Sequence, residues 1–221
     1  GRMAYSDPEL QQFPADARPI IADDGQGLTS IDWSQIEPVV MANCAGDVDF
    51  LAPFENGGDL YAPIMATAGI DRKRAKVVLL ALMYGQASLR TDEATADVIR
   101  RKVLSAMPPT SKYMDQVRAM AEQSGKAVTI SGRVLEIDKD RETGRYRAYK
   151  GVNYTCQGSA YDVLAETLFT LHAKGLSQHV QLVMHDEIVA DTPAAQEIQH
   201  VMQTAPDRLV WWANQRAHNR M

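Results

Sequence analysis

Apolar and polar positions alternate over residues 27–31, the period of a half-buried strand, so Asp32 falls at the strand's end. Ser34 with Glu37 three residues later has the form of a capping box, and Pro38 lies in the tolerated first turn. A helix is therefore predicted through Val39, Val40 and Met41 to about Gly46. Asn56-Gly57-Gly58-Asp59 reads as a turn, followed by a helix from Leu60 to about Ala68. From Arg72 to Tyr84 the chain is rich in Ala, Leu, Val and Lys, and Gly85 stops the predicted helix. Thr91 to Ser105 predicts another helix, broken by Pro108-Pro109. Met114, Val117 and Met120 keep helical spacing in a third, from Tyr113 to Gly125.

The second half switches period. Residues 127–130 and 133–137 flank Ser131-Gly132 and read as a β-hairpin. The charged run from Asp138 to Arg147 reads as a solvated loop, and Gln157 to about Ala173 as a helix stopped by Gly175. Residues 180–184 and 188–190 are apolar β segments separated only by His185-Asp186-Glu187, a tight hairpin with an acidic tip. Residues 194–217 read as mostly helical apart from Pro206, and no internal repeat is present.

At 221 residues the chain can bury a full core. No apolar run is long enough to cross a bilayer, and the N-terminus lacks a signal pattern. Cys44 and Cys156 lie far apart without metal-ligand spacing, as reduced thiols in a cytosolic protein do. The net charge of −5 is unlike the overall basicity of many nucleic-acid binders. Its distribution changes the picture: Arg72, Lys73, Arg74 and Lys76 cluster, as do Arg100, Arg101 and Lys102, and local field outweighs the sum. The chain opens on Gly1-Arg2 and stops soon after Trp211-Trp212, so a piece of something longer is expected.

Asp32 and Asp186 stand far apart in sequence, yet both occupy strand ends beside apolar runs. Taken singly, one could cap a helix and the other fill a turn. On neighbouring strands their carboxylates would converge, and two metal ions roughly 4 Å apart could orient an attacking hydroxyl and neutralise a leaving pyrophosphate. Magnesium suits such hard oxygen ligands, with manganese as a substitute. Arg72, Lys76, Leu80 and Tyr84 recur every four residues, and each step rotates about 40° on an α-helix, so the four line one face. Cations at its start would meet phosphates, and the apolar and aromatic positions would meet sugar and base.

These blocks resemble the polymerase region of family A DNA polymerases, the bacterial DNA polymerase I and phage replicative type. The family's Asp-Tyr-Ser-Gln-Ile-Glu is similar to Asp32-Trp33-Ser34-Gln35-Ile36-Glu37, its helix motif to Arg72, Lys76, Leu80 and Tyr84-Gly85, and its His-Asp-Glu to His185-Asp186-Glu187. Gly1-Arg2 with Asp7 to Gln11, Asp59-Leu60-Tyr61, and Asn153 with Gln157-Gly158 and Asp162 extend the likeness over nearly the whole chain.

The resemblance implies an α+β fold: a polymerase palm, an antiparallel sheet with packed helices, and a mostly helical fingers subdomain, with the thumb absent. Residues 1–47 would be the first part of the palm, 48–150 the fingers, and 151–221 the second part of the palm. Asp32, Asp186 and the Trp33 carbonyl would hold two Mg2+ ions, and Glu187 would support them from the rim. Arg72 and Lys76 would grip the incoming deoxynucleoside triphosphate, with Lys76 protonating pyrophosphate as general acid. Gln35, Ile36, Glu37, Leu80 and Tyr84 would complete the nucleotide pocket, Glu37 blocking a ribose 2′-hydroxyl. Arg2, Gln11, Asn153, Gln157 and His185 would contact primer-template DNA. No membrane is involved, and the location would be the cytoplasm of a bacterial or phage-infected cell. Leu80 stands where the family has Phe, Val39 and Tyr149 where it has Arg, and Glu9 where it has Asn. Rival readings are a single-subunit RNA polymerase, a non-catalytic primer-template-binding fragment, and a hydrolase using the same carboxylates.

Overall fold

The computed structural model describes residues 10, 25–85 and 92–210. The chain runs β1 (Leu28–Asp32), α1 (Ile36–Ala45), α2 (Val48–Glu55), α3 (Ala62–Ala68), α4 (Arg72–Met83), α5 (Glu93–Ser105) and α6 (Pro108–Ser124). It continues with β2 (Lys126–Val128), β3 (Val134–Glu136), α7 (Lys150–Ala173), β4 (Val180–Met184), β5 (Glu187–Asp191) and α8 (Ala195–Thr204). This is the expected α+β architecture. A three-stranded sheet has the order β1-β5-β4, and β2 pairs with β3 in a separate hairpin.

Both partners of β5 run antiparallel to it, so it is the central strand. Ile188, Val189 and Ala190 are accordingly apolar without a break, as burial on both faces requires. Along β4, alternation sorts the side chains. Leu182 and Met184 pack with Val189 on one face, while Val183 joins Ile188, Ala190 and the apolar positions of α7 and α8 on the other.

A larger cluster fills the helical part. Phe50, Tyr61, Ile64, Leu79, Met83, Met107 and Met114 meet there with Met41 of α1 and with Val152 and Cys156 of α7. Helix α7 runs through the molecule, packing against α1, α6, β2 and α8. Gly158 permits its closest approach, because a Cβ there would stand 2.6 Å from Thr129 Cγ2 and 2.9 Å from Leu135 Cδ1. Arg133 ties the hairpin to the helix. Its Nη2 donates to the Gly158 carbonyl at 2.9 Å and to the buried Asp162 carboxylate at 2.8 Å.

Several expectations need correction. The capping box does not form: Gln35, at φ 59, is the N-cap of α1 and supplies no side-chain cap, while the Glu37 carboxylate accepts from the Tyr84 hydroxyl instead. Helix α2, despite Pro53 inside it, was not legible; burial of Phe50 and Leu51 holds it. Helix α3 starts at Ala62 rather than Leu60. Pro108-Pro109 opens α6 instead of separating two helices, since the first turn needs no N–H from proline. Helix α7 starts seven residues before the predicted Gln157, at Lys150.

Gly125, the C-cap of α6, has φ 66, and a Cβ there would run into the ring of Tyr146. We expect Gly125→Ala to cost about 2 kcal/mol from the left-handed backbone and displacement of that ring. A lower urea midpoint with an unchanged slope would show it.

Candidate active site

Main-chain pairing brings the positions of the two aspartates to one end of the three-stranded sheet. Asp32 closes β1 directly opposite Glu187 in the antiparallel register, and the Trp33 N–H donates to the Asp186 carbonyl at 3.1 Å. Asp32 is exposed and Asp186 half-buried. Directly opposed residues of an antiparallel pair project from one face, so Asp32 and Glu187 share a side of the sheet. The Ser30 hydroxyl donates to the Glu187 carboxylate, fixing it beside that edge. Trp33 anchors the turn after β1: its indole Nε1 donates to the Met202 carbonyl at 2.9 Å, and its ring packs on the core under the sheet.

The β4–β5 hairpin turns on two residues, His185 and Asp186, because Met184 pairs with Glu187. His185 takes φ 53, and Gln35 φ 59; among the described residues these are the non-glycine positions at positive φ. Such conformations cost free energy and persist where surrounding structure imposes them. Both belong to the predicted site.

Beside Asp186 opens a cleft lined by Ile36, Glu37, Gln157, Ala160, Tyr161, His185 and Asp186. Helix α7 contributes Gln157, Ala160 and Tyr161, and Asn153 lies one turn before Gln157 on the same face. Asn153 Oδ1 and Gln35 Oε1 are buried acceptors without a hydrogen-bond donor among the described residues. Sequence reasoning missed Tyr161. Its spacing of four from Gln157, within the predicted helix, was the available signal. Arg133 stacks over its ring at 5.2 Å.

Helix α4 supplies the cations. Asp71 caps it, accepting from the Arg74 N–H at 2.8 Å. Arg72 Nε donates to Asp59 at 2.6 Å, and its guanidinium lies over the Tyr61 ring at 5.3 Å. Lys76 is exposed and forms no ion pair among the described residues. Leu80 is half-buried rather than part of the core. Tyr84 ends the row as the C-cap, and its hydroxyl donates to Glu37, which lines the cleft. One face of α4 thus leads from cations to the pocket holding Asp186. Burial pushes the Tyr61 phenol above its usual range, with Arg72 opposing that and the Asp59 and Glu37 charges adding to it.

Among the described residues no group of three or more His, Cys, Asp or Glu is arranged to hold a metal ion. Asp32 and Asp186 instead offer hard oxygen donors at an open edge. That suits a cation keeping several waters and binding through one or two carboxylates plus phosphate oxygens. Arg2 and Gln11 lie outside the described residues. No helix among the described residues is long and apolar enough to cross a membrane.

An antiparallel sheet carrying two aspartates at one end, joined to a helical unit with a cation-led helix, is a polymerase palm with fingers. Comparisons with known proteins agree. The family model described as DNA polymerase family A matches residues 1–214. The DNA polymerase of Mycobacterium phage L5 is 31% identical over 218 residues, 91% of this chain and 36% of that protein. DNA polymerase I of Pseudomonas aeruginosa is 30% identical over 223 residues, 86% of this chain and 24% of that protein. The solved POL domain of Pol1 from M. smegmatis, in complex with DNA primer-template and dNTP, matches with a TM-score of 0.78 and 22% identity. That match covers 95% of this chain and 43% of the other and establishes the fold. The chain belongs to DNA polymerase family A. It spans about a third of the length of the phage relatives, 36% and 34%.

Proposed function

We propose that this chain is the palm-and-fingers portion of a template-directed DNA polymerase, adding deoxynucleotides to a primer 3′-hydroxyl. The carrying observation is main-chain pairing at one sheet end, Asp32 opposite Glu187 and the Trp33 N–H on the Asp186 carbonyl. The division would be palm 1–47, fingers 48–150 and palm 151–221. One core gathers α2–α6 but also takes in Met41 of α1 and Val152 and Cys156 of α7, so palm and fingers would share it, while the sheet and α8 have a core of their own.

In this reading Asp32, Asp186 and the Trp33 carbonyl hold divalent metal. Bound magnesium would lower the pKa of the attacking hydroxyl and neutralise charge on the leaving pyrophosphate. Glu187, held by Ser30, adds negative potential from the rim. Arg72 and Lys76 bind the triphosphate, and Lys76 gives a proton to the departing pyrophosphate. Gln35, Ile36, Leu80 and Tyr84 surround sugar and base. Glu37, held by the Tyr84 hydroxyl, would block a ribose 2′-hydroxyl. Gln157 and His185 on the cleft wall, with Asn153 a turn away, read the primer terminus by hydrogen bonds. The buried Asn153 Oδ1, which takes no donor among the described residues, suits that role. Arg2 and Gln11 would join them on the DNA.

Primer extension with magnesium and each class of nucleotide tests the reading. We expect deoxynucleotides to be used at least tenfold better than ribonucleotides, and Glu37→Ala to narrow that ratio, since a steric block is worth about 1–3 kcal/mol. Equal use of both by the parent chain would favour an RNA polymerase. Cleavage of DNA without a primer would favour a hydrolase.

A further inference from the structure

Arg72 is held on two sides by residues that the proposed chemistry does not use. Asp59, just after the turn at Asn56-Gly57-Gly58, accepts from Nε at 2.6 Å, and the Tyr61 ring lies 5.3 Å beneath the guanidinium carbon. Asp59 is itself bound into the start of α3, since its carboxylate accepts from the Tyr61 N–H at 3.2 Å. Tyr61 is 1% exposed, wedged into the helical core with Phe50, Leu60 and Ile64. Its ring therefore cannot swing away from Arg72.

A guanidinium has five N–H donors in a planar fork. Here one edge is engaged and one face covered, and the terminal nitrogens make no hydrogen bond among the described residues. Arginine ordinarily loses much rotamer freedom when it grips an anion. Prior fixing of the fork removes part of that loss and aims the remaining donors. The Asp59 charge would weaken anion binding if it neutralised the fork. Yet Arg72 remains about half exposed, with Lys76 one turn further along the same face, so the local field stays positive.

We infer that Asp59 and Tyr61 are positioning residues that hold Arg72 ready for the triphosphate of the incoming nucleotide. The ring of Tyr61 supplies the support, not its hydroxyl. This rests on the polymerase reading, because it takes Arg72 as a phosphate ligand.

The test is a double-mutant cycle on the chain itself, read by binding of a fluorescent deoxynucleoside triphosphate, and of its monophosphate, with magnesium present. Arg72→Ala should weaken triphosphate binding about thirtyfold, as loss of a charge-assisted contact does. Tyr61→Leu and Asp59→Asn should each weaken it about threefold to tenfold, the range for a cation–π or an ion-pair contact. Monophosphate binding should stay within twofold in all three. Tyr61→Phe, which keeps the ring, should recover most of the affinity lost in Tyr61→Leu. In an Arg72→Ala background, Asp59→Asn and Tyr61→Leu should have no further effect, which damage to packing alone would not produce.

If Arg72→Ala binds triphosphate as the parent does, or the parent does not prefer triphosphate over monophosphate, the polymerase assignment of Arg72 fails and the inference with it. If Arg72→Ala weakens binding but the two neighbours do not, or they act equally without Arg72, the inference fails and the polymerase reading stands.

Discussion

If the polymerase reading holds, Asp186→Ala is expected to lower primer extension about a thousandfold while leaving the fold intact. Metal-borne charge stabilisation of a phosphoryl transition state is worth several kcal/mol, and each 1.4 kcal/mol is about a factor of ten in rate. The fold survives because what Asp186 gives the structure is main chain: its carbonyl accepts from Trp33, and its neighbours Met184 and Glu187 keep the hairpin paired. Alanine retains that carbonyl. Asp32→Ala is expected to behave alike, since Asp32 sits at a strand end and is exposed. The measurement is single-nucleotide extension of a labelled primer at low salt, alongside a thermal melt of each variant. Low salt matters because phosphate contacts weaken steeply as salt rises. Extension within tenfold of the parent, with an unchanged melt, would remove Asp186 from the chemistry.

The end of the sheet that carries Asp32 and Asp186 was the most legible part of the sequence. Strand period is two, so a single apolar alternation fixes both the strand and which residue ends it, as it did for Asp32. The hairpin around His185-Asp186 declared itself by its brevity. The row from Arg72 to Tyr84 was equally plain, because helical spacing needs only local sequence. Contacts made across the fold were not. Glu37 had a local partner in Ser34, and a distant one, Tyr84, won it. The start of α7 was hidden because Gly151, Val152, Thr155 and Cys156 are buried among several neighbours, so no single apolar stripe marks its first turns. The Asp59–Arg72–Tyr61 arrangement joins a loop, a helix start and a core residue, and no period in the sequence connects them.

Asp47→Ala should be the costliest change outside the chemistry. The carboxylate is 1% exposed and forms no ion pair among the described residues, yet two helices begin on it. It caps α2 by accepting from the Phe50 N–H at 3.3 Å. It also accepts from the Thr110 N–H at 3.1 Å and the Thr110 hydroxyl at 2.7 Å, in the first turn of α6. Helix N-termini carry partial positive charge, so one anion answers both where a cation is absent. Alanine leaves two buried N–H groups and a hydroxyl without acceptors. Hydrogen bonds to a charged group are worth about 1.5–3 kcal/mol, and the losses overlap, so we expect about 3 kcal/mol. For a chain of this size that lowers the midpoint by about 6–12 °C. Asp47→Asn keeps one acceptor oxygen and should recover about half. The effect belongs to stability, not chemistry, because Asp47 lies at the far end of α1 from Glu37. At temperatures well below the melt, nucleotide binding by Asp47→Ala should match the parent. A loss under about 1 kcal/mol would mean that water or a neighbouring side chain satisfies these donors.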